Sequence, residues 1–444
     1  MASGERYLSY LAALRTDFTK IAKLEFLNRD GSVAFALDND PKNRRSGAFL
    51  QSGEISCNLN NGMRRQASVT LSNLDGEFEF AVNHIWYGTQ LRLSEGLILP
   101  DGSEYLIPQG VFEIEQPNEH YNPGEKTTTW RLVDKWANLD GSLGGNLEGA
   151  YSIAAGTNIF TAMASLLRLG RFDMASNRPD PIDPVTPIFT GWYNGKTQTL
   201  TDGTTGNLTD APYDYLSGDE ESLADVLLGL AEMLAAWIGY NAAGRLVVDP
   251  SQDDISDLTK PVAWDFTTDE KQLLNVETTA KKSEVYNDLI VVGDTNDAGA
   301  TARGRAQNRD IASDTCISRI GLKTQRIHMA NYYADAICMD YAMWKLKRAA
   351  VLQKTVNIEC TQMFHIQENS IVTIRRDDKP GSPVERHLVQ GWTRPIGQTG
   401  TMILNAVSVM DYPEITKVFD RSDTSAIAGI AIAGVSVVGT GGNA

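Results

Sequence analysis

The stretch 62–80, GMRRQASVTLSNLDGEFEF, decides how the rest of the chain is read. Ala67, Val69 and Leu71 occupy every second position, which lines them up on one face of a strand. Arg64 and Arg65 open that strand, and Asn73, Leu74, Asp75 and Gly76 close it with turn chemistry. The local reading is a tight turn that sends the chain back through EFEF as the neighbouring strand.

Working outward, runs of the same period continue from Lys23 to about Asp140: AKLEFL, GSVAFAL, EISCNL, GTQLRLSEGLIL, GVFEIEQ and TTTWRLVDKW. Asp30-Gly31, Asn61-Gly62 and Asp101-Gly102 fall between runs, as hairpins of an antiparallel sheet or barrel require. Before them, Tyr7, Leu8, Leu11, Leu14 and Phe18 have the spacing of a short amphipathic helix. After them the period lengthens. GTNIFTAMASLLRLGRF and DEESLADVLLGLAEMLAAW read as helices, separated by a Pro, Thr, Gly and Asp-rich excursion over 173–219. IGYNAAGRLVVDP then reads as a hairpin turning at Asn241 and Gly244. Strands return with NDLIVVGD, KTVNIECT, NSIVTIRR, RHLVQGWTR and TMILNAVSV. One long helix, NYYADAICMDYAMWKLKRAAVLQ, interrupts them, with Tyr333, Ile337, Met343, Trp344 and Ala350 as its expected core stripe.

The fold class this predicts is mostly β with α insertions. The expected organisation is an N-terminal helix or arm at 1–22 and a first β-domain at 23–140. A helical, loop-rich middle domain follows at 141–260, then a second β-domain with a long helix at 261–412 and a Gly/Ala-rich tail at 413–444. No βαβα alternation suggests a doubly wound sheet.

Of the 444 residues, 56 are acidic and 40 basic, a formal charge of -16 that opposes any stable grip on nucleic acid. Such a surface would let DNA move past without holding it. Cys57, Cys316, Cys338 and Cys360 are far apart, with neither zinc spacing nor a disulfide framework, and Cys57 and Cys360 fall on apolar strand faces. The opening MASGERYLSYLAALRTDF is too charged for a signal peptide, and SAIAGIAIAGVSVVGTGGNA from Ser425 is too short and too small-residued to read as a membrane span.

Candidate chemistry fails residue by residue. Gly195-Lys196-Thr197 lacks the glycine that a phosphate loop needs, since Thr190 stands there. His84, His120, His328, His365 and His387 are each alone in their segments, without zinc-binding spacing. No Gly-x-Ser-x-Gly elbow occurs, and the acidic run 249–257 lacks the spacing of a calcium loop. A glycosidase would need two facing carboxylates, which acidic content alone does not single out. No catalytic residue, metal ligand or cofactor is therefore expected.

RRQASVTLSNLDGEFEF followed by WYGTQLRLSEG, then GVFEIEQPNEHYNPGEKTTTWRLVDKWANLDG, GTNIFTAMASLL, LADVLLGLAEMLAAWIGYNAAGRLVVDP and NYYADAICMDYAMWKLKRAAVLQKTVNIECTQMFHIQENSIVTI carry a resemblance. Taken in order, they resemble the baseplate hub, or tail-tip, proteins of tailed bacteriophages and related contractile injection systems. The likeness runs over about 23–411; the excursion at 173–219 and the tail after Pro413 match no part of it, and no lytic domain is expected.

The resemblance implies two tail-tube-like antiparallel β-barrel or sandwich domains flanking the middle domain. Three chains would form a pseudo-six-fold ring that adapts a six-fold tube to a three-fold tip and lets DNA through. Implied partners are the chain itself as a homotrimer, a tail tube or distal tail protein, a tape measure protein, and tail spike or fibre proteins. DNA would be a passing cargo and membrane insertion would play no part; the place would be a virion tail assembled in the host cytoplasm. Arg64, Arg65, Asp75, Trp86, Tyr87, Trp192 and Tyr193 are the candidate interface residues. The two arginines would bridge to carboxylates of an adjacent ring or subunit, the bland alternative being a solvated turn flank. A tail-associated cell-wall hydrolase and a host-surface carbohydrate-binding protein are the other two readings.

Overall fold

A computed structural model describes residues 4–419 apart from 29–30, 44–47, 60–63, 81, 83–84, 87, 123, 172–187, 190–194, 196, 200–203, 235, 251–260, 268–269, 281, 296–300, 330–331, 333–334, 353 and 410–411. Helix α1 (Glu5–Ala13) leads into strands β1 (Thr19–Leu27), β2 (Val33–Asp38), β3 (Ala48–Asn58), β4 (Arg64–Asn73), β5 (Gln90–Ile98), β6 (Glu104–Asn122) and β7 (Glu125–Asp134). The middle holds β8 (Ser152–Ile153), α2 (Ile159–Arg171), β9 (Ile188–Phe189), β10 (Thr197–Thr199), β11 (Thr205–Asn207), β12 (Tyr215–Leu216), α3 (Leu223–Met233), β13 (Ala236–Tyr240) and β14 (Leu246–Pro250). Then come β15 (Val262–Asp265), β16 (Leu273–Ala280), β17 (Asp288–Thr295), β18 (Thr301–Asn308), α4 (Ile317–Ile320), β19 (Thr324–His328) and α5 (Asp335–Ala349). The last strands are β20 (Lys354–Thr361), β21 (Ile371–Arg375), β22 (Val384–Ile396), β23 (Thr401–Ser408) and β24 (Ile415–Phe419). The protein is mostly β with α insertions.

The main sheet contains the same arrangement twice. Its first unit runs β3-β4-β7-β6-β5-β1-β2, its second β16-β20-β23-β22-β21-β15, and β22 pairs with β3 to make one sheet of both. The correspondence extends to bulges. β6 against β7 slips between Ile114 and Gln116, and β22 against β23 slips between Val389 and Gly391. β3 against β4 slips between Leu50 and Ser52, and β16 against β20 between Leu273 and Asn275. A bulge inserts one residue at a defined register, so Gln116 corresponds to Gly391 and Ser52 to Asn275. The units differ at the far end, where β1 runs antiparallel to β5 but β15 runs parallel to β21.

The turn after β4 departs from the expected hairpin. Gly76 takes a left-handed φ of 75° and donates its N–H to the Asn73 carbonyl, so the turn forms. The chain nevertheless does not return beside β4, whose partners are β3 and β7. Asn73 Oδ1 accepts the Phe78 N–H at 3.0 Å and tucks the Phe78 ring under the sheet, edge-on to Trp130 at 5.3 Å and stacked on Phe26 at 5.8 Å. Burial of Phe78 outweighs continuation of the strand pattern in EFEF.

One apolar core runs through both β-units, from Leu24, Val69, Leu93 and Trp130 to Ile358, Trp392 and Leu404. Tyr10, Ala13 and Leu14 of the N-terminal segment seal one part of it, whereas Leu8 points to solvent. A second core gathers Met163 and Leu166 of α2, Leu227 and Leu230 of α3, Ile238 and Val248 of the β13–β14 hairpin. Leu289, Ala306, Cys338, Ala342 and Leu346 join it, so β17, β18 and α5 pack with the middle body although they interrupt the second β-unit in sequence. The α5 core stripe is thus Cys338, Ala342 and Leu346 continuing to Ala350, with Met343 and Trp344 half-buried; the side chains of Tyr333 and Ile337 lie outside the described residues. α3 begins with a capping box in which Ser222 and Asp225 satisfy each other's backbone N–H groups.

Candidate interface and the joint between the β-units

Arg65 is buried, and its guanidinium is used up inside the chain. β4 carries it to the seam with β22, where Nη1 donates to the Gln109 carbonyl at 2.8 Å and to Gln367 Oε1 at 3.1 Å. Nε donates to the Tyr240 carbonyl at 3.3 Å, and Nη2 donates to the Glu368 carboxylate. One side chain so ties the first unit (Gln109) to the middle body (Tyr240) and to the second unit (Gln367 and Glu368). Burial works against the charged form, but Glu368, together with Cys57 and Asp134, offsets it and raises the Arg65 pKa. The carboxylate it meets therefore belongs to the same chain and not to a neighbour.

A second ion pair crosses the seam in the opposite sense. Arg394 of β22 donates Nε to Glu95 Oε2 of β5 at 2.9 Å, and both side chains are shut off from water. Burial pushes the Glu95 carboxyl above its ordinary range, with Arg394 working against that shift. Gln109 links the pairs: its Oε1 accepts from Arg394 Nη2 and from Gln367 Nε2, while its Nε2 donates to the Phe364 carbonyl at 3.2 Å. Trp392 lies between the arginines, with guanidinium carbons 4.3 Å (Arg394) and 5.7 Å (Arg65) from its ring centroid.

Asp134 caps the end of β7. It accepts the Arg65 N–H at 2.9 Å and the Trp136 N–H at 3.1 Å, and burial raises its pKa to about 6 against those bonds. α1 is pinned nearby through His365. Its Nε2 faces the Ala263 carbonyl at 3.3 Å, and a carbonyl cannot donate, so Nε2 carries the proton and Nδ1 accepts from the Tyr10 hydroxyl at 3.1 Å. Burial lowers the His365 pKa to about 4, which keeps the ring neutral.

The other sequence-derived candidates are scattered. Arg64 is half-buried, with its guanidinium 4.0 Å from the Trp136 ring centroid. Asp75 is exposed at the turn, and Trp86 is half-buried, edge-on to Trp130 at 5.7 Å and to Phe80 at 5.2 Å. Tyr87, Trp192 and Tyr193 lie outside the described residues. Arg65 is brought to the seam, whereas Arg64 lies over Trp136 of the middle-body core, and Asp75 and Trp86 are away from the seam. Sequence reasoning missed Glu95, Gln109, Glu368 and Arg394; the signal for two of them is a charge inside an apolar alternation, Glu95 between Leu93 and Leu97 and Arg394 between Trp392 and Ile396.

Among the described residues there is no group of three or more His, Cys, Asp or Glu placed to hold a metal ion, and no helix is long and apolar enough to cross a membrane. The four cysteines are buried and form no disulfide.

No protein-family model and no curated protein matches the sequence. Solved structures do match by shape. The tail protein from Neisseria meningitidis MC58 aligns with a TM-score of 0.55 at 9% identity, over 88% of this chain and 97% of that one. The 43 kDa tail protein of prophage MuSo2 from Shewanella oneidensis aligns with a TM-score of 0.53 at 10% identity, over 87% of this chain and 98% of that one. Both alignments cover most of each chain, and this chain shares the fold of these two tail proteins.

Proposed function

We propose that this chain is a structural hub of a phage-type tail, in which three copies close into a ring of six β-units between the tail tube and the tail tip. The observation that carries this reading is the repeat within the main sheet, whose halves share strand order and bulge positions and are joined edge to edge by β3 and β22. Two alike units fused side by side are what a chain needs to present pseudo-six-fold symmetry on one side and three-fold symmetry on the other. The fold shared with tail proteins supports the same reading.

In this role the protein performs no reaction. A tail tube or distal tail protein would dock on one end of the ring, and a spike or fibre component on the other, with the tape measure protein and then DNA passing through the lumen. The net charge of -16 suits a passage that must not retain a polyanion. The test is the mass of the purified full chain by light scattering across a concentration series, followed by electron microscopy of the largest species. A trimeric mass with a ring of six lobes is the expected result; a monomer at every concentration, with no ring, overturns the proposal.

A further inference from the structure

Resting on the hub reading, we infer that residues 116–121 of β6 pair with β16 of a second copy of this chain, in the register that β22 already makes with β3. In the second unit, Val384–Leu388 of β22 pairs with β21, and the strand then continues as Gly391–Ile396 along β3. In the first unit, β6 pairs with β5 only as far as Phe112. Beyond it β6 keeps β7 on one side, and no described residue forms a backbone ladder on the other. Its outer half is solvent-facing, with Tyr121 71% exposed.

β16 is the matching open edge. It pairs with β20 alone, and Leu274, Asn275, Glu277, Thr278, Thr279 and Ala280 are exposed, while Leu273 and Val276 pack half-buried against the core. A strand with one open edge is a template for another strand. β16 also stands in the second unit where β3 stands in the first. The bulge correspondences then carry the β22–β3 register over residue by residue. Pro117 falls opposite Ala280, Asn118 opposite Thr279, Glu119 opposite Thr278, His120 opposite Glu277 and Tyr121 opposite Val276.

Charge supports that register. Glu119 corresponds to Arg394, and the pairings of Leu91 with Phe112 and of Val372 with His387 make Arg376 the counterpart of Glu95. The buried Arg394–Glu95 pair of the seam thus has a charge-reversed counterpart, Glu119 of one copy with Arg376 of the next. Arg376 Nη1 donates to Thr278 Oγ1 at 3.0 Å, on the residue that Glu119 would face, while its Nε and Nη2 hold Asp378 of the same chain and Glu119 accepts the Phe80 N–H, so the pair between copies would join groups that each already have a partner.

The first test is a disulfide between copies, from His120→Cys and Glu277→Cys in one chain. β16 and β6 are not neighbours in the strand order, and a bond within one chain would leave the monomer's mass unchanged, so only a bond between copies gives a covalent oligomer. The native cysteines are buried and will not compete. Covalent dimers and trimers on a non-reducing gel, absent from either single variant, are the expected result. The second test is a charge swap. Glu119→Arg and Arg376→Glu should each raise the concentration needed for assembly by about tenfold, and the two together should restore it. A trimer that neither cross-links nor responds to the swap overturns this inference and leaves the hub reading standing. A chain that is monomeric throughout, uncross-linked, overturns both.

Discussion

Arg394 of the second β-unit donates to Glu95 of the first at 2.9 Å, while Arg65 of the first donates to Glu368 of the second, so two buried ion pairs cross one seam in opposite directions. Removing one partner leaves the other charged and without solvent. Arg394→Met or Glu95→Leu alone should cost about 3–5 kcal/mol of unfolding free energy, and the double substitution distinctly less than the sum. Denaturant titration of the four-membered cycle measures this; additive losses would mean that the pair is not coupled.

Arg65→Lys should also be costly, because an ammonium cannot reproduce bonds to Gln109, Tyr240, Gln367 and Glu368 at once. Since those partners span the first unit, the middle body and the second unit, limited proteolysis should show earlier cleavage between them. An unchanged digestion pattern would argue that the seam does not depend on the guanidinium fork.

Phe78→Ala should destabilise by about 3–5 kcal/mol, since it empties a site between Phe26 and Trp130. Asn73→Ala, which removes only the acceptor for the Phe78 N–H, should cost about 1 kcal/mol. Equal effects would mean that the turn, and not the buried ring, holds the segment in place.

At Gly53 β3 lies close against its neighbour β4, and an added Cβ would meet the Ser68 carbonyl and the Ile396 side chain. Backbone cannot yield as a side chain can, so Gly53→Val should destabilise by about 1–3 kcal/mol and loosen the β3–β22 pairing. Hydrogen exchange at residues 391–396 reads the loosening directly; protection equal to that of the unaltered protein would contradict it.

Acid should weaken the fold through its buried histidines. Burial lowers His365 and His387 to about 4, below the ordinary value of 6.5, so the unfolded chain binds protons first. Their contribution is complete above about pH 6.5 and is lost as pH falls towards 4. Asp134, raised to about 6, acts in the opposite sense, losing its contribution as pH rises from the ordinary 3.8 through 6. The difference between the unaltered protein and His387→Gln isolates one histidine. The melting temperature of the variant should fall less between pH 6.5 and 4, and parallel curves would show that His387 is not the acid-sensitive group.

Much of the fold was legible because alternation and helical spacing are local properties. β3, β4, β7, β20 and β23 lie where period-two runs placed them, and α2 and α3 where the longer period did. The EFEF segment failed for a reason outside its own pattern: Phe78 gains more from the ring cluster beneath the sheet than from a ladder. The 282–350 insertion was likewise illegible as part of the middle body, since strands and helices read alike whichever core they join.

The sequence by itself determined where most of the period-two and helical runs lie and which face of each is apolar. Only the tertiary structure decided that the sheet repeats itself and which charges meet. Corresponding positions carry unlike residues, Arg65 with Lys354, Glu95 with Arg376, Arg394 with Glu119, so the repeat is written in register and bulges and not in side-chain identity. Arg65 and Glu368 are 303 residues apart in the chain. Their pairing follows from which strand edges meet at β3 and β22, a choice made by the summed burial of two units and recorded in neither segment alone.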